Sequence, residues 1–292
     1  MTVERERDDV ATLEAGLDAL ESVRPMRVPL RQRLREKALP PLVALVVVLA
    51  VWAALAASGI KPPGLLPPPS DVWAALSSAW DDGTLVSATW ASVSRAAVGF
   101  TASVVLGTLL GLLLSQWQAL RTAIGPLVSG LQSLPAACWV PAGILWFGVS
   151  DAAVYVVVLF GAVPSIALGL VSGIDRVPPQ LLRAGQVLGA GRLEQLRYVV
   201  LPAALPGYVS GLRLGWAFAW RSLMAAELII ALTGSPSSLG QLLDVGRKSS
   251  DMSVILAVIV VILVVGVVIE AGLFGPVERR LLKSRGLTAG AR

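Results

Sequence analysis

Six apolar segments, each near the length that crosses a lipid bilayer, constrain this chain more than any other feature of its sequence. They lie at about 40–58, 91–114, 124–147, 152–174, 205–232 and 253–275. A membrane-spanning helix needs about 20 mainly apolar residues. Only 15% of the 292 residues are charged, whereas a soluble domain has about a quarter. The sequence therefore predicts an all-α, polytopic membrane protein with six transmembrane helices.

Charged ends flank this apolar region. Residues 1–38 form a charged tail with a basic juxtamembrane half, 39–280 the membrane domain and 281–292 a second tail. A signal peptide has a short basic start before its apolar stretch. This tail is far longer and contains acids, so we expect the first apolar segment to be retained as a helix. The basic run favours contact with anionic lipid; a partner-binding helix within the tail is the alternative.

The positions of the basic residues predict the orientation. Of the 24 Lys and Arg residues, only Lys61, Arg247 and Lys248 fall in loops on the outer side of a six-helix arrangement. Cytoplasmic loops carry an excess of Lys and Arg, so both termini are predicted to be cytoplasmic. The basic residues flank apolar segments rather than forming one face, which argues against nucleic acid binding. In the outer loop, Ser70 or Asp71 is a suitable N-cap for a short helix lying among lipid headgroups.

The chain lacks the motifs of ATP binding and of catalysis. No Gly-x-x-x-x-Gly-Lys-Ser/Thr sequence is present to hold phosphates. The absence of histidine excludes a Ser-His-Asp arrangement. With Cys138 as the single cysteine, a zinc or iron site of the usual ligands is not expected. We therefore predict no enzyme activity, cofactor or metal in this chain; intramembrane catalysis through unusual pairings is a minor alternative.

The loop at residues 177–203, between the fourth and fifth apolar segments, predicts a helix–turn–helix. Pro178-Pro179 can open a helix, since the first helical position tolerates a missing N–H. Gly189 and Gly191 break that helix, because glycine readily takes the positive φ of a helix end. A second short helix then ends at Leu201-Pro202. A loop that merely packs beneath its own helices is the alternative.

This loop resembles the EAA motif in the membrane subunits of binding-protein-dependent ATP-binding-cassette importers. That motif has Glu-Ala-Ala, three residues, Gly and, after about nine residues, hydrophobic-x-Leu-Pro; here Arg183 stands at the Glu position and Gly185 at the second Ala. The resemblance implies that the two helices dock into a groove of a cytoplasmic ATPase, and we call residues 177–203 the coupling loop. The residues that it implies for coupling are Arg183, Ala184, Gly185, Leu188, Gly189, Ala190, Leu201 and Pro202.

A longer ordered series of matches is similar to the nitrate/sulfonate/bicarbonate branch of these permeases. It extends over nearly all of residues 60–280 and includes Leu66–Val72, Ser94-Arg95, Gly99-Phe100, Leu134-Pro135, Trp139–Pro141, Ile144–Gly148, Ala219–Arg221 and Ala226–Leu228.

The resemblance implies a type I importer in a bacterial cytoplasmic membrane, working as a homodimer. Two ATP-binding subunits would bind ATP and Mg inside, and a separate solute-binding protein would act outside. It implies a small anionic or heteroaromatic cargo, with sulfonate preferred. A secondary transporter or channel that needs no ATPase is the alternative.

Prolines and charges inside the apolar segments mark candidates for the translocation pathway. Pro135 and Pro141 each remove a backbone hydrogen bond, so their segment is either a kinked packing helix or a lining of the pathway. Charged side chains in a span are candidates for function. Because Arg95 and Arg213 lie nearer span ends, we expect them to snorkel. The pathway candidates are Pro135, Trp139, Pro141, Trp220, Arg221 and Glu227.

Two hypotheses remain open for Arg221, the deeper arginine. It could guide an anionic cargo, or it could pair with Glu270 or with Glu227 of a second subunit. Similarly, the series Gly207-x-x-x-Gly211-x-x-x-Gly215 predicts a close helix contact. That contact is expected either inside the bundle or across a subunit interface.

Overall fold

The computed structural model describes residues 30–62, 64–230 and 238–284. The chain divides into two units, Met1–Ile60 and Lys61–Arg292. In the first unit, helix α1 covers Leu30–Ala57. Its stretch Leu39–Ala57 is 19 residues long with a hydropathy of 2.5, which suits a membrane crossing. Of the two predicted tails, residues 1–29 and 285–292 lie outside the described residues.

The second unit is built from helices joined by short turns. In chain order they are α2 Pro69–Asp81, α3 Thr84–Gln116, α4 Gln118–Ser133, a 3₁₀ turn Ala136–Trp139, α5 Val140–Phe147, α6 Asp151–Asp175, α7 Pro179–Val187, α8 Arg192–Gln195, a π-helical turn Leu196–Val200, α9 Leu201–Ile229, α10 Leu239–Lys248, α11 Met252–Ile269, a second π-helical turn Glu270–Phe274 and α12 Gly275–Ser284.

Helix α6 is the centre of this unit, packed between α3 and α9. Buried residues make up 56% of its most apolar window, against 28% for α3 and 11% for the α11–α12 stretch. A helix that is apolar on all sides must be covered on all sides. The core around it is formed by Ala88 and Ala96 of α3, Val154, Val157, Val158, Ala162 and Ile166 of α6, and Trp216, Ala219, Trp220 and Leu223 of α9.

Opposed glycines bring the backbones of α6 and α9 together. A Cβ on residue 207 would lie 2.5 Å from Gly173 Cα, and one on residue 211 would lie 2.7 Å from Gly169 Cα. Small residues allow helices in membranes to approach this closely. The predicted glycine contact therefore forms inside the bundle, since both glycines face α6 of their own chain.

The predicted third span, 124–147, is wrong as a single helix. Helix α4 ends at Ser133, and the axes on either side of the break differ by 105°. Leu134 and Pro135 have extended backbone, with ψ of 133° and 130°. A residue before proline is driven out of the α conformation, so Pro135 produces a sharp turn rather than a kink. Pro141, by contrast, lies in the first turn of α5, which tolerates it.

The other apolar segments are helices close to their predicted bounds. In the described residues, length and hydropathy suit a crossing for α1, α3, α6 and Met252–Leu281. The bent pair of α4 with Ala136–Phe147, which is the 3₁₀ turn and α5, gives a fifth crossing if it is one span. Helix α9 is not among these helices, because Arg213, Arg221 and Glu227 lower its mean hydropathy. Its 29 residues nevertheless give α9 a length of about 43 Å, and it packs against α6. The prediction of six spans thus depends, for α9, on length and packing.

Helix α2 begins earlier than predicted. Pro68 is the N-cap and Pro69 the first helical residue, so Ser70 and Asp71 lie in the first turn rather than capping it. Proline suits this position because the first N–H groups of a helix have no partner within it. Trp73 is 70% exposed; that α2 lies among lipid headgroups stays a prediction.

Candidate functional site

The loop at residues 177–203 folds into the helix–turn–helix that its sequence predicts. Helix α7 begins at Pro179 after the cap residue Pro178. At its end the Gly189 N–H donates to Gln186 O and the Ala190 N–H to Gly185 O, both at 3.0 Å. This is the Schellman pattern of helix termination. It requires a left-handed residue, and Gly189 has φ of +81°.

The second helix of the loop holds α7 by a hydrogen bond and a close contact. The Gln195 side-chain amide donates to Leu182 O at 3.0 Å. Gly185 is buried, and a Cβ there would lie 3.4 Å from Val199 Cγ2 and 3.5 Å from Gln195 Cγ. Gly185, found where the EAA motif has alanine, thus sits at the contact between the two helices.

Three large apolar side chains project from this turn. Val187 is 87%, Leu188 85% and Leu193 81% exposed; we call these three residues the coupling surface. Arg183, Ala184 and Gly189 are also exposed, while Ala190, Leu201 and Pro202 are half-buried. Sequence reasoning found Leu188 and missed the other two. Apolar residues flanking a glycine turn were the available signal.

The predicted end of the second helix at Leu201-Pro202 is wrong. Helix α8 continues through the π-helical turn directly into α9, where Pro202 lies in the first turn. The Leu201 N–H donates to Leu196 O, five residues back. This wider turn accommodates a residue without an N–H, so the chain stays helical. The coupling loop is therefore connected rigidly to α9.

Two of the pathway candidates line one cavity. Pro135, after the break, and Arg221 of α9 border a space of about 280 Å³ that opens at the surface of the chain. Arg221 Nε donates to Ala217 O at 3.0 Å, and its Cζ lies 4.8 Å from the Phe218 ring centroid. Its predicted pairing with Glu270 is wrong, because Glu270 binds Arg213 instead.

The remaining pathway candidates lie elsewhere. Trp139 stacks on Phe160 of α6 with ring centroids 4.1 Å apart. Pro141 is exposed on α5. Trp220 is only 7% exposed and faces Gly266 of α11. None of these three lines the cavity of Arg221.

Glu227 belongs to a buried polar network with Arg95. Its side chain is fully buried; Oε1 lies 3.4 Å from Arg95 Nη1, and Oε2 accepts from Ser92 Oγ at 2.7 Å and from the Gly240 N–H at 3.2 Å. Arg95 Nε also donates to Asp151 Oδ1 at 2.8 Å. The expectation that Arg95 snorkels is wrong, because these carboxylates compensate its burial. The expected link from Glu227 to a second subunit is likewise replaced by a partner within the chain.

Arg213 has two carboxylate partners. It contacts Glu270 at 2.7 Å and Glu278 at 3.1 Å, with 48% of its side chain exposed. These ion pairs connect α9 to the second π-helical turn and to α12. Sequence reasoning missed Glu278, which lies at the end of the apolar stretch.

The described residues contain no group of three or more His, Cys, Asp and Glu side chains that could hold a metal ion. On α10, hydrogen bonds from the side chains of Lys248 and Arg247 hold the pKa of Asp244 below its usual value. Arg247 and Lys248 are exposed, whereas the Asp244 side chain is largely covered.

Comparison with protein families gives one match that covers more than half of the chain. The model of the family described as "Binding-protein-dependent transport system inner membrane component" matches residues 103–282. The match includes α6, the coupling loop and α9.

Curated relatives extend the similarity to most of the chain. The taurine transport system permease protein TauC of Escherichia coli is 31% identical over 81% of this chain and 86% of its own length. The putative aliphatic sulfonates transport permease protein SsuC of Bacillus subtilis is 29% identical over 82% and 85%. The riboflavin transport system permease protein RibX of Chloroflexus aurantiacus is 31% identical over 88% and 94%.

A solved structure has the same fold. The MetNI methionine ABC transporter, in an inward-facing conformation, matches with a TM-score of 0.58 and 23% identity over 68% of this chain and 96% of that chain. At this identity the match establishes the architecture of an importer permease and nothing about cargo.

Proposed function

The chain belongs to the family of inner-membrane components of binding-protein-dependent transport systems, and we propose that it couples a cytoplasmic ATPase to the passage of a small anion. The observation that carries this proposal is the coupling surface. Val187, Leu188 and Leu193 hold apolar area in water on a turn fixed by hydrogen bonds. Burying such area against a partner is favourable by about 25 cal/mol per Å².

Movement of the docked ATPase would reach the membrane through α9. The π-helical turn leaves no flexible linker between the coupling surface and α9. Helix α9 then contacts α6 backbone to backbone at Gly169 and Gly173. A displacement at the turn is thereby transmitted along two packed helices.

The assembly that we propose is a homodimer of this chain with two ATP-binding subunits inside and a solute-binding protein outside. The partner subunits bind ATP and Mg and carry out hydrolysis. Both termini are cytoplasmic, as the positions of the basic residues favour. Arg183 stands at the position of the motif's acid and is exposed, so we expect an acidic or neutral partner side chain opposite it.

For the cargo, we propose a sulfonate or similar small organic anion. The sulfonate and taurine permeases among the relatives support an anion. A riboflavin permease is as similar to this chain as the taurine permease is, so the relatives differ in cargo class. A cationic group on the cavity surface, Arg221, adds a physical reason to prefer an anion.

Co-expression with the ATP-binding subunit encoded nearest to it tests the coupling role. Leu188→Asp should abolish co-purification of the ATPase, because it places a carboxylate in the apolar contact. Val245→Asp is the matched control: Val245 is 56% exposed on α10, away from the loop. Retention of the ATPase by the Leu188 variant would contradict the proposal. Uptake that continues without any ATPase would favour a secondary transporter.

A further inference from the structure

The cavity beside the α4 break has the polar groups of an anion site. Its lining includes Gln132 and Pro135 on the α4 side and Arg221 and Ser222 on α9. Its volume, about 280 Å³, is close to the lower end of small-molecule pockets, roughly 300 Å³. A group of a few heavy atoms fits this space.

Arg221 differs from the other arginines of the helices near it. Arg95 binds Asp151 and Glu227, Arg121 binds Asp175, and Arg213 binds Glu270 and Glu278. Within the described part of the chain Arg221 has no carboxylate partner. A cation in a span usually has one. Its charge is therefore available to an anion from outside the chain.

Two contacts hold the Arg221 guanidinium in place but leave hydrogen-bond donors available. Its Nε donates to the Ala217 carbonyl, and its Cζ lies over the Phe218 ring. Neither terminal nitrogen has an acceptor among the described residues, so both can donate to one oxyanion. Planar paired donors of this kind suit carboxylate, phosphate and sulfonate oxygens.

Gln132 provides a second donor across the cavity. Its Nε2 donates to Ser165 Oγ at 3.0 Å, which orients the amide, and the second N–H has no acceptor in the part of the chain that the structure describes. Gln132 lies two residues before the break at Leu134, so the end of α4 places this amide at the cavity. Two fixed donor groups on facing elements form a site rather than a single surface charge.

We propose that Arg221 and Gln132 form a binding subsite for the sulfonate, or equivalent oxyanion, group of the cargo during its passage. The proposal rests on the importer function for the identity of the anion as cargo. A phosphate group of a lipid has the same chemistry, and the experiment separates the two sources.

Thiol reactivity tests the subsite without transport. In the full chain with Cys138→Ala, the cavity-lining position Ala137→Cys, which leaves both donors in place, is treated with the anionic reagent 2-sulfonatoethyl methanethiosulfonate and with its trimethylammonium analogue. Each rate is divided by that of the reagent with free mercaptoethanol. We expect the normalised anion preference to be on the order of tenfold. Arg221→Lys should retain it, Arg221→Gln should abolish it and Arg221→Glu should reverse it.

The controls are a distant thiol and a competing lipid. Ser87→Cys, exposed on α3, should be unaffected by Arg221→Gln. Butanesulfonate should protect Ala137→Cys, and dioctanoyl-phosphatidylglycerol should not. An unreactive Ala137→Cys, an unchanged preference in Arg221→Gln, or protection by the lipid alone would each overturn the proposal. If Arg221→Gln leaves the preference unchanged while Leu188→Asp still releases the ATPase, the subsite is wrong and the importer function stands.

Discussion

The buried carboxylate of Glu227, on α9, accepts the backbone N–H of Gly240 at the start of α10, 3.2 Å from its Oε2. The same carboxylate accepts from Ser92, whose Oγ in turn accepts the Leu239 N–H at 3.0 Å. One acid thus satisfies a backbone donor at the start of α10 and anchors that helix to the bundle. Its burial and its partners within the chain support a structural role; its predicted place in the translocation pathway stays a prediction.

Gly240→Ala should destabilise the protein. The added Cβ would overlap Glu227 Cβ and lie 2.8 Å from Leu228 N, so backbone must shift. Overpacking of this kind costs about 1–3 kcal/mol. Thermal denaturation followed by fluorescence size-exclusion chromatography should give a lower midpoint. Gly130→Ala is the control, since nothing lies within 4 Å of its Cβ; equal midpoints would contradict the prediction.

Gly211→Ala should weaken the packing of α6 on α9. Its Cβ would lie 2.7 Å from Gly169 Cα, and neither backbone can yield locally. We expect less folded protein and uptake reduced in proportion. Gly125→Ala, whose nearest neighbour is Arg121 Cγ at 3.9 Å, should behave like the wild type. Normal yield of the Gly211 variant would show that the two helices are not in contact at this point.

Ser222→Ala should stabilise the protein. The Ser222 hydroxyl is buried without a hydrogen-bond partner among the described residues, and an unsatisfied buried group costs about 1–3 kcal/mol. Ser165→Ala makes the matched comparison, because it removes the acceptor of Gln132 and should lower stability. Opposite shifts of the two denaturation midpoints are expected; a lower midpoint for Ser222→Ala would point to an unseen partner.

Gln195→Leu should loosen α7 without unfolding the bundle. It removes the hydrogen bond to Leu182 O at 3.0 Å, which links the two helices of the coupling loop. Hydrogen exchange by mass spectrometry should rise across residues 179–190 and remain unchanged in α6. The control is Gln186→Leu: Gln186 is exposed on α7, and its substitution should leave hydrogen exchange near the wild-type level. Unchanged protection in Gln195→Leu would show that this hydrogen bond does not hold α7 against the second helix of the loop.

Sequence patterns were sufficient wherever the controlling interactions are local. The helix start at Pro178-Pro179 and the left-handed turn at Gly189 follow from backbone chemistry within a few residues. The prolines of the third segment were recognised, but the 105° bend was not. A proline removes one hydrogen bond in either case; packing decides whether the chain kinks or turns.

The partners of charges could not be read from the chain in the same way. Arg95 and Glu227 are 132 positions apart, and only the packing of α3 against α9 brings them together. The same holds for Arg213 with Glu270 and for Arg221, which has no carboxylate partner among the described residues. Sequence placed all of these charges in apolar helices and thereby marked them as unusual.

By itself, the sequence determined the helical membrane architecture and the form of the inner loop, because hydropathy, proline and glycine act locally. The tertiary structure alone decided that the α9 glycines meet α6, that Glu227 anchors α10, and that Arg221 faces a cavity. Each of these depends on the rotation and register of one helix against another. Many side chains distributed along both helices set that register, so no single motif encodes it.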